Sequence, residues 1–284
     1  VSSGVRLLVA PYDSGHRDVR MGAGPLALLR AGAGELAADV RVLDPAGEWR
    51  AELATAFELN RLVAAEVADA VAEGQVPVLL SGNCLGTVGV LAGLAAAGHR
   101  VGLLWLDAHG DFNTPDEDGS GFLDGQGLAI AVGRCWRSVA GRIPGFTPLP
   151  ERDVVLVGAR DVTEAQAAVL RSSGLAWLPP AQARDPELLA ATLADLAGRV
   201  DVLHFHVDLD VHDPSIAPAN GYAAPDGLSA EEVRRVLGLA AAQLPVVSAT
   251  LASWDPSFDV GDRMRDVALD LLGEITAAAV PVAR

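Results

Sequence analysis

Cysteine is almost absent from the 284 residues: Cys84 and Cys135 are the only two. Two thiols so far apart make no disulfide framework, which predicts a reducing cytoplasm as the setting. Lysine is missing, so all 21 basic residues are arginine; set against 37 acids they leave a net charge of -16. So acidic a chain is a poor electrostatic partner for nucleic acid or an anionic membrane. No apolar run is long enough to span a bilayer and no charged-then-apolar leader is seen, so a soluble protein is expected. Repeats, low-complexity tracts and linkers are also lacking. With half the residues hydrophobic, the chain reads as one domain over 1–284 with a full core.

What is there is an alternation. Short branched apolar runs at 5–10, 40–43, 76–81, 101–107, 154–158, 175–178, 202–208 and 246–252 have strand character. Helical spacing separates most of them, at 22–29, 52–73, 85–97, 164–172, 186–196 and 230–243, and closes the chain at 259–278. The helix at 52–73 runs into Gly74, a left-handed cap. Such alternation predicts an α/β fold, a parallel sheet with helices on both faces. The longest polar loop, 113–127, directly follows an acidic strand end, where binding loops belong.

Two of these strands end in ionisable residues. The first, VGLLWLDAHGD, carries Asp107, His109 and Asp111, and the second, VLHFHVDLDVHDP, carries Asp208 and Asp210. If the backbone stays extended, the alternation projects each set toward one side. Acids and imidazoles after a strand also serve as caps and loop formers. Five hard or borderline ligands at two strand ends of similar spacing favour a metal site instead, because crowded carboxylates repel unless a cation or proton lies between them. The carboxy ends of parallel strands are where such sheets hold ligands.

These residues carry a resemblance. Trp105-Leu106-Asp107-Ala108-His109-Gly110-Asp111-Phe112-Asn113-Thr114 resembles the D-A-H-x-D-x-N-T signature of the ureohydrolases: arginase, agmatinase and formimidoylglutamase. His206-Val207-Asp208-Leu209-Asp210-Val211-His212-Asp213-Pro214, with Pro218 and Gly221, is similar to the family's S-F-D-x-D-x-x-D-P-x-x-x-P-x-x-G. The likeness runs from the first strand through Gly22-Ala23-Gly24-Pro25 to Trp254-Asp255-Pro256. It implies a three-layer αβα arginase-like fold with a parallel, mostly eight-stranded sheet. It also implies a manganese-dependent hydrolase acting on a small-molecule carbon–nitrogen bond, and a homo-oligomer, trimer or hexamer.

Carried over residue by residue, the resemblance assigns one metal site to Asp107, His109, Asp208 and Asp210. A second would use Asp107, Asp111, Asp208 and the His of a G-G-D-H-S motif, which here reads Ser81-Gly82-Asn83-Cys84-Leu85. Cys84 replaces that His, so one tight Mn2+ is expected and the second site is left open; a thiolate there suits Zn2+ better, and an inert buried thiol is the other reading. Asp124 stands where the family has a proton-transferring His, and Asp111 is the other proton-transfer candidate. Asn113 and Ser120 are expected to contact a polar group of the substrate. The acid that binds the guanidinium in arginases is Ser253 here, with Asp255 two residues on as its possible replacement. In Arg160-Asp161-Val162-Thr163, the second acid of the arginase R-D-V-D motif has become Thr163.

The losses fall on the groups that read arginine, so a less basic amidine, modified guanidine or amide is the expected substrate. The competing expectation is a catalytically degenerate member that keeps the fold for binding or assembly.

Overall fold

Branched apolar runs become strands here because both faces of the sheet are covered. The computed structural model describes residues 4–45 and 51–282. Its main strands are β1 (Val5–Ala10), β2 (Asp39–Val42), β3 (Val76–Ser81), β4 (Val101–Leu106), β5 (Val154–Val157), β6 (Ala176–Leu178), β7 (Val202–Asp208) and β8 (Val246–Ala252). All pair in parallel, in the order β2-β1-β3-β8-β7-β4-β5-β6. Every residue of the four central strands β3, β8, β7 and β4 is buried, which is why they read as continuous apolar runs.

Successive side chains alternate between two cores. Leu104, Leu106, Phe205 and Val207 face one, while Leu103, Trp105 and Val202 face the other. Helices α1 (Ala23–Arg30), α5 (Pro186–Ala197), α6 (Ala230–Gln243) and α7 (Arg263–Ala278) cover the first face. Helices α2 (Glu52–Ala72), α3 (Thr87–Ala96) and α4 (Glu164–Ser172) cover the second. The result is three layers, αβα. No helix among the described residues is long and apolar enough to cross a membrane.

Local chemistry sets the helix ends. Thr163 with Gln166 and Ser229 with Glu232 form reciprocal capping boxes on α4 and α6, and Gly74 (φ 73°) follows α2. The closing helix starts at Arg263 rather than 259: Asp259 stays outside as a cap, accepting from the backbone of Met264 (3.0 Å) and Arg265 (2.8 Å). The segment expected as helix from 85 begins instead as a 3-10 turn, Cys84–Gly86. Short helices at Gly127–Ala131, Arg137–Ala140 and Pro180–Ala183 lack the length to show periodicity in sequence.

Four loops leave the carboxy ends of adjacent central strands together: Gly82–Leu85 after β3, Ser253 after β8, Leu209–Val211 after β7 and Asp107–Asp111 after β4. Ala252 is in register with both Ser81 and Asp208, so these exits lie at one level. Close backbone packing locks them. A Cβ at Gly82 would lie 2.7 Å from the Cα of Gly22, and one at Gly24 would collide with the carbonyl of Trp254.

Candidate metal centre and substrate pocket

The acids sit beyond the strands, not along them. β4 stops at Leu106, Asp111 has left-handed backbone (φ 45°), and Leu209–Val211 is a 3-10 turn. The extended alternation expected from the sequence is therefore absent after Leu106 and Asp208; turns gather the acids instead. Each turn is tied by its own carboxylate. Asp107 Oδ1 accepts from the backbone N of His109 at 2.7 Å, and Asp208 Oδ1 from that of Asp210 at 2.8 Å. Asp210 Oδ1 accepts from the backbone N of Ala108 at 3.1 Å, linking the two loops.

Among the described residues, two groups have donor atoms within 4.8 Å of one another: Asp107 with His109 and Asp210, and Asp107 with Cys84 and His206. In the first, His109 Nδ1 lies 3.2 Å from Asp107 Oδ1 and 3.4 Å from Asp210 Oδ2, while its Nε2 lies 3.7 Å from Asp161. One ring nitrogen faces the acids and the other a carboxylate, the arrangement that orients a metal-binding imidazole. Asp208, expected in the same group, turns toward β3, where its Oδ2 accepts from the Cys84 thiol at 3.0 Å.

The electrostatics of these side chains suit a cation. Burial opposes charge on His109, but Asp210, Asp107 and Asp111 outweigh it and push its pKa up to about 10. Burial, then the neighbouring acids, raises Asp111 and Asp208 well above the usual carboxylate range. Asp107 rises too, by burial first and Asp210 next, partly offset by His109. Acids buried and crowded in this way hold protons tightly, and a divalent ion would stabilise their charged forms instead. The donor chemistry, hard oxygens plus imidazole, fits one.

The pocket over these acids encloses about 570 Å³ of space continuous with solvent. Asp111, Asp124, Asn113 and Ser253 line it. Asn113 Oδ1 accepts from Gln166 Nε2 at 3.0 Å. Asp124 is buried, with Oδ1 accepting from the backbone N of Leu85 and Oδ2 from Asn83, both at 2.9 Å. Burial lifts its pKa to about 7 against the pull of these donors.

Two expected contacts do not reach the pocket. Ser120 lies exposed in its loop, its Oγ accepting from the backbone N of Phe122 at 3.1 Å. Asp255 follows Ser253, whose φ of 65° breaks the strand, so the two do not share a face. The Asp255 carboxylate is used by Ser257, through its backbone N (2.9 Å) and hydroxyl (2.7 Å).

Other lining residues gave no signal in sequence. Met21, Phe122 and Tyr222 provide an apolar wall, with the two rings stacked at 5.4 Å. Asn220 binds Asp210 Oδ2 (3.2 Å) and the Ser253 carbonyl (2.8 Å), joining two strand exits. Arg160, visible only as part of a motif, donates to the carbonyls of Asp210 (3.1 Å), Val211 (3.3 Å), Ala224 (2.6 Å) and Pro225 (2.8 Å). It clamps the loop that carries Asp210.

This arrangement has counterparts. The chain is 31% identical over 222 residues to the arginase of Bacillus caldovelox, spanning 77% of this chain and 74% of that protein. It is 30% identical over 189 residues to an N(omega)-hydroxy-L-arginine amidinohydrolase of Streptomyces lavendulae, spanning 66% of this chain and 64% of that one. The solved structure of the Bacillus caldovelox arginase superposes with a TM-score of 0.83 at 28% identity, covering 96% of this chain and 97% of the other. The Arginase family model matches residues 3–278. Acid-rich turns on the adjacent ends of β4 and β7, the parallel eight-stranded sheet and this end-to-end match have one explanation: the chain belongs to the arginase family.

Proposed function

We propose that this protein is a metal-dependent hydrolase of a non-peptide carbon–nitrogen bond in a small molecule, and that the molecule is less basic than arginine. The observation that carries this reading is Ser253. It lines the pocket, with its hydroxyl 3.2 Å from the Cys84 thiol, and by the motif resemblance it takes the place of the guanidinium-binding acid of arginases. Thr163, the other lost acid, is used up as the cap of α4. A guanidinium entering here would give up its hydration with no carboxylate at 253 or 163 to pair with, which weakens its binding. The apolar wall of Met21, Phe122 and Tyr222 suits a less charged substrate, and one relative's name specifies a hydroxylated guanidine.

Asp107, His109 and Asp210, with Asp208 beside them, would hold the tight ion, manganese in the first instance. Such an ion supplies Lewis acidity at the scissile carbon and acidifies water. Asp111, at the pocket floor, takes the proton from the attacking water, and Asp124 returns one to the departing nitrogen. Asn113 orients the substrate. One domain, a cytoplasmic setting and a trimer or hexamer complete the reading.

The test is urea or ammonia release from arginine, agmatine, N-hydroxyarginine and formimidoylglutamate at equal concentration, with manganese and then zinc. Arginine turnover comparable with the best alternative would overturn it. The second reading, a degenerate binding member, draws on Cys84, Asp124 and Ser253 replacing three working groups in one chain; it predicts no turnover of any of the four and no bound divalent ion after expression in supplemented medium.

A further inference from the structure

The imidazole missing from position 84 is matched by one that the family pattern lacks. Cys84 stands where G-G-D-H-S has its His, and His206 stands where S-F-D has its Ser. The structure brings the two changed residues together with Asp107, all three buried, their donor atoms within 4.8 Å of one another.

The tautomer of His206 follows from a chain of hydroxyls. Thr87 Oγ1 lies 2.8 Å from His206 Nδ1 and donates its one hydrogen to Thr250 Oγ1 at 3.1 Å. Thr250 in turn reaches His204 Nε2 at 3.1 Å. With the Thr87 hydrogen committed, Nδ1 must be the donor to Thr87, and Nε2 keeps a bare lone pair. That Nε2 is buried without a hydrogen-bond partner. An orphaned polar atom in a core is rare and needs an explanation.

The surrounding side chains hold this geometry still. Trp105 stacks on the His206 ring at 3.7 Å and 26°, and its Nε1 donates to Asp107 Oδ2 at 2.9 Å. The ring and the carboxylate are thus positioned by one indole. Asp208 is in reach through its contact with the Cys84 sulfur.

We propose that His206 Nε2, Cys84 Sγ and Asp107, with Asp208 adjoining, form a second metal centre selective for a borderline ion of the zinc type. It replaces the manganese position that Cys84 has broken. One sulfur, one imidazole and carboxylate oxygen are the donors zinc and cobalt take, whereas manganese prefers oxygen. Loading breaks the S–H bond, the thiolate keeps the electron pair to bind the ion, and one proton per ion leaves to solvent. The proposal rests on the site being a metal site at all, since Asp107 is shared with the first ion.

The test uses metal-stripped protein carrying Cys135→Ser, so that Cys84 is the only thiol, titrated with Co2+ and followed by absorption and metal analysis. An intense near-ultraviolet thiolate-to-cobalt band is expected, displaced by Zn2+, with a second cobalt bound without such a band. Cys84→Ser should abolish the band, and His206→Gln should weaken the banded ion about tenfold or more while leaving the other in place. Cobalt bound with no thiolate band overturns this centre and leaves the hydrolase reading standing; no cobalt bound at all overturns both. Should either variant fail to fold, the presence or absence of the band in the Cys135→Ser protein decides.

Discussion

Asn83 Nδ2 donates to Asp124 Oδ2 at 2.9 Å, and the same nitrogen lies 3.3 Å from Asp13 Oδ1. One amide therefore stands between two buried carboxylates. The family motif has Asp at position 83 and His at position 124; here the acid has moved to 124 and the neutral donor to 83. The exchange keeps one donor in the contact, and an acid at both positions would leave none.

Asn83→Asp should expose this dependence. A third carboxylate against Asp13 and Asp124 loses the donor and adds repulsion, which should cost about 2–4 kcal/mol of stability in metal-free protein near neutral pH. Urea unfolding measures it, and an unchanged midpoint would mean the amide is not holding these acids apart.

Arg160→Met should loosen the metal loop. Its guanidinium serves the carbonyls of Asp210 and Val211 on one side and Ala224 and Pro225 on the other, and methionine satisfies none of them. Losing charge-assisted bonds to buried carbonyls should cost about 3 kcal/mol or more. Manganese affinity should fall roughly 10–100-fold as Asp210 loses its position. Calorimetric titration at a temperature where the variant stays folded checks the second effect; wild-type affinity would show the loop holds itself.

Asp255→Asn separates a turn from a binding role. The carboxylate caps Ser257, so the change should lower stability by about 1 kcal/mol and leave KM for any substrate unaltered. A several-fold rise in KM at unchanged stability would return Asp255 to the pocket.

The strands 5–10, 76–81, 202–208 and 246–252 were legible because burial on both faces leaves an uninterrupted apolar run, and their bounds match those found. The residues clustered at the strand ends were legible as types, not as geometry. Parity holds only inside a strand, so His204 and His206 obey it, while Asp111 and Asp255 lie beyond turns at Asp111 (φ 45°) and Ser253 (φ 65°) that break it. Arg160, Asn220 and Tyr222 stayed hidden because their partners are distant backbone carbonyls or loops. Nothing in a local pattern encodes such contacts.

His204 should make metal-free protein acid-sensitive. Ser248 and Thr250 hydroxyls occupy its two ring nitrogens (2.7 and 3.1 Å), and burial pushes its pKa down to about 3. Above about pH 6.5 neither folded nor unfolded chain protonates this ring, and it adds no pH dependence. Below that, the unfolded chain takes a proton that the folded one refuses, so stability falls by about 1.4 kcal/mol per unit until roughly pH 3. Because the acid cluster contributes in the opposite sense, the comparison is with His204→Gln, whose stability should fall less steeply from about pH 7 to pH 5. Identical slopes in urea unfolding would mean the ring is protonated in place.

Restoring the family pair gives the most direct test of why this site differs. Cys84 is buried, its thiol donating to Asp208 Oδ2 at 3.0 Å and packed against Ser253. Burial, and then Asp208, pushes the thiol well above its ordinary range, and soft sulfur is in any case a poor match for manganese. Cys84→His exchanges that donor for an imidazole but leaves His206 close by, so the double change Cys84→His with His206→Ser reproduces the family spacing with one imidazole rather than two. Manganese content after dialysis should rise from about one ion per chain toward two in the double variant, with the single variant between them. Content no higher than in the parent, with the variant folded, would mean that the loop after β3 no longer reaches the family's second position, and that the substitutions at 84 and 206 followed a change in backbone rather than a change in ligand.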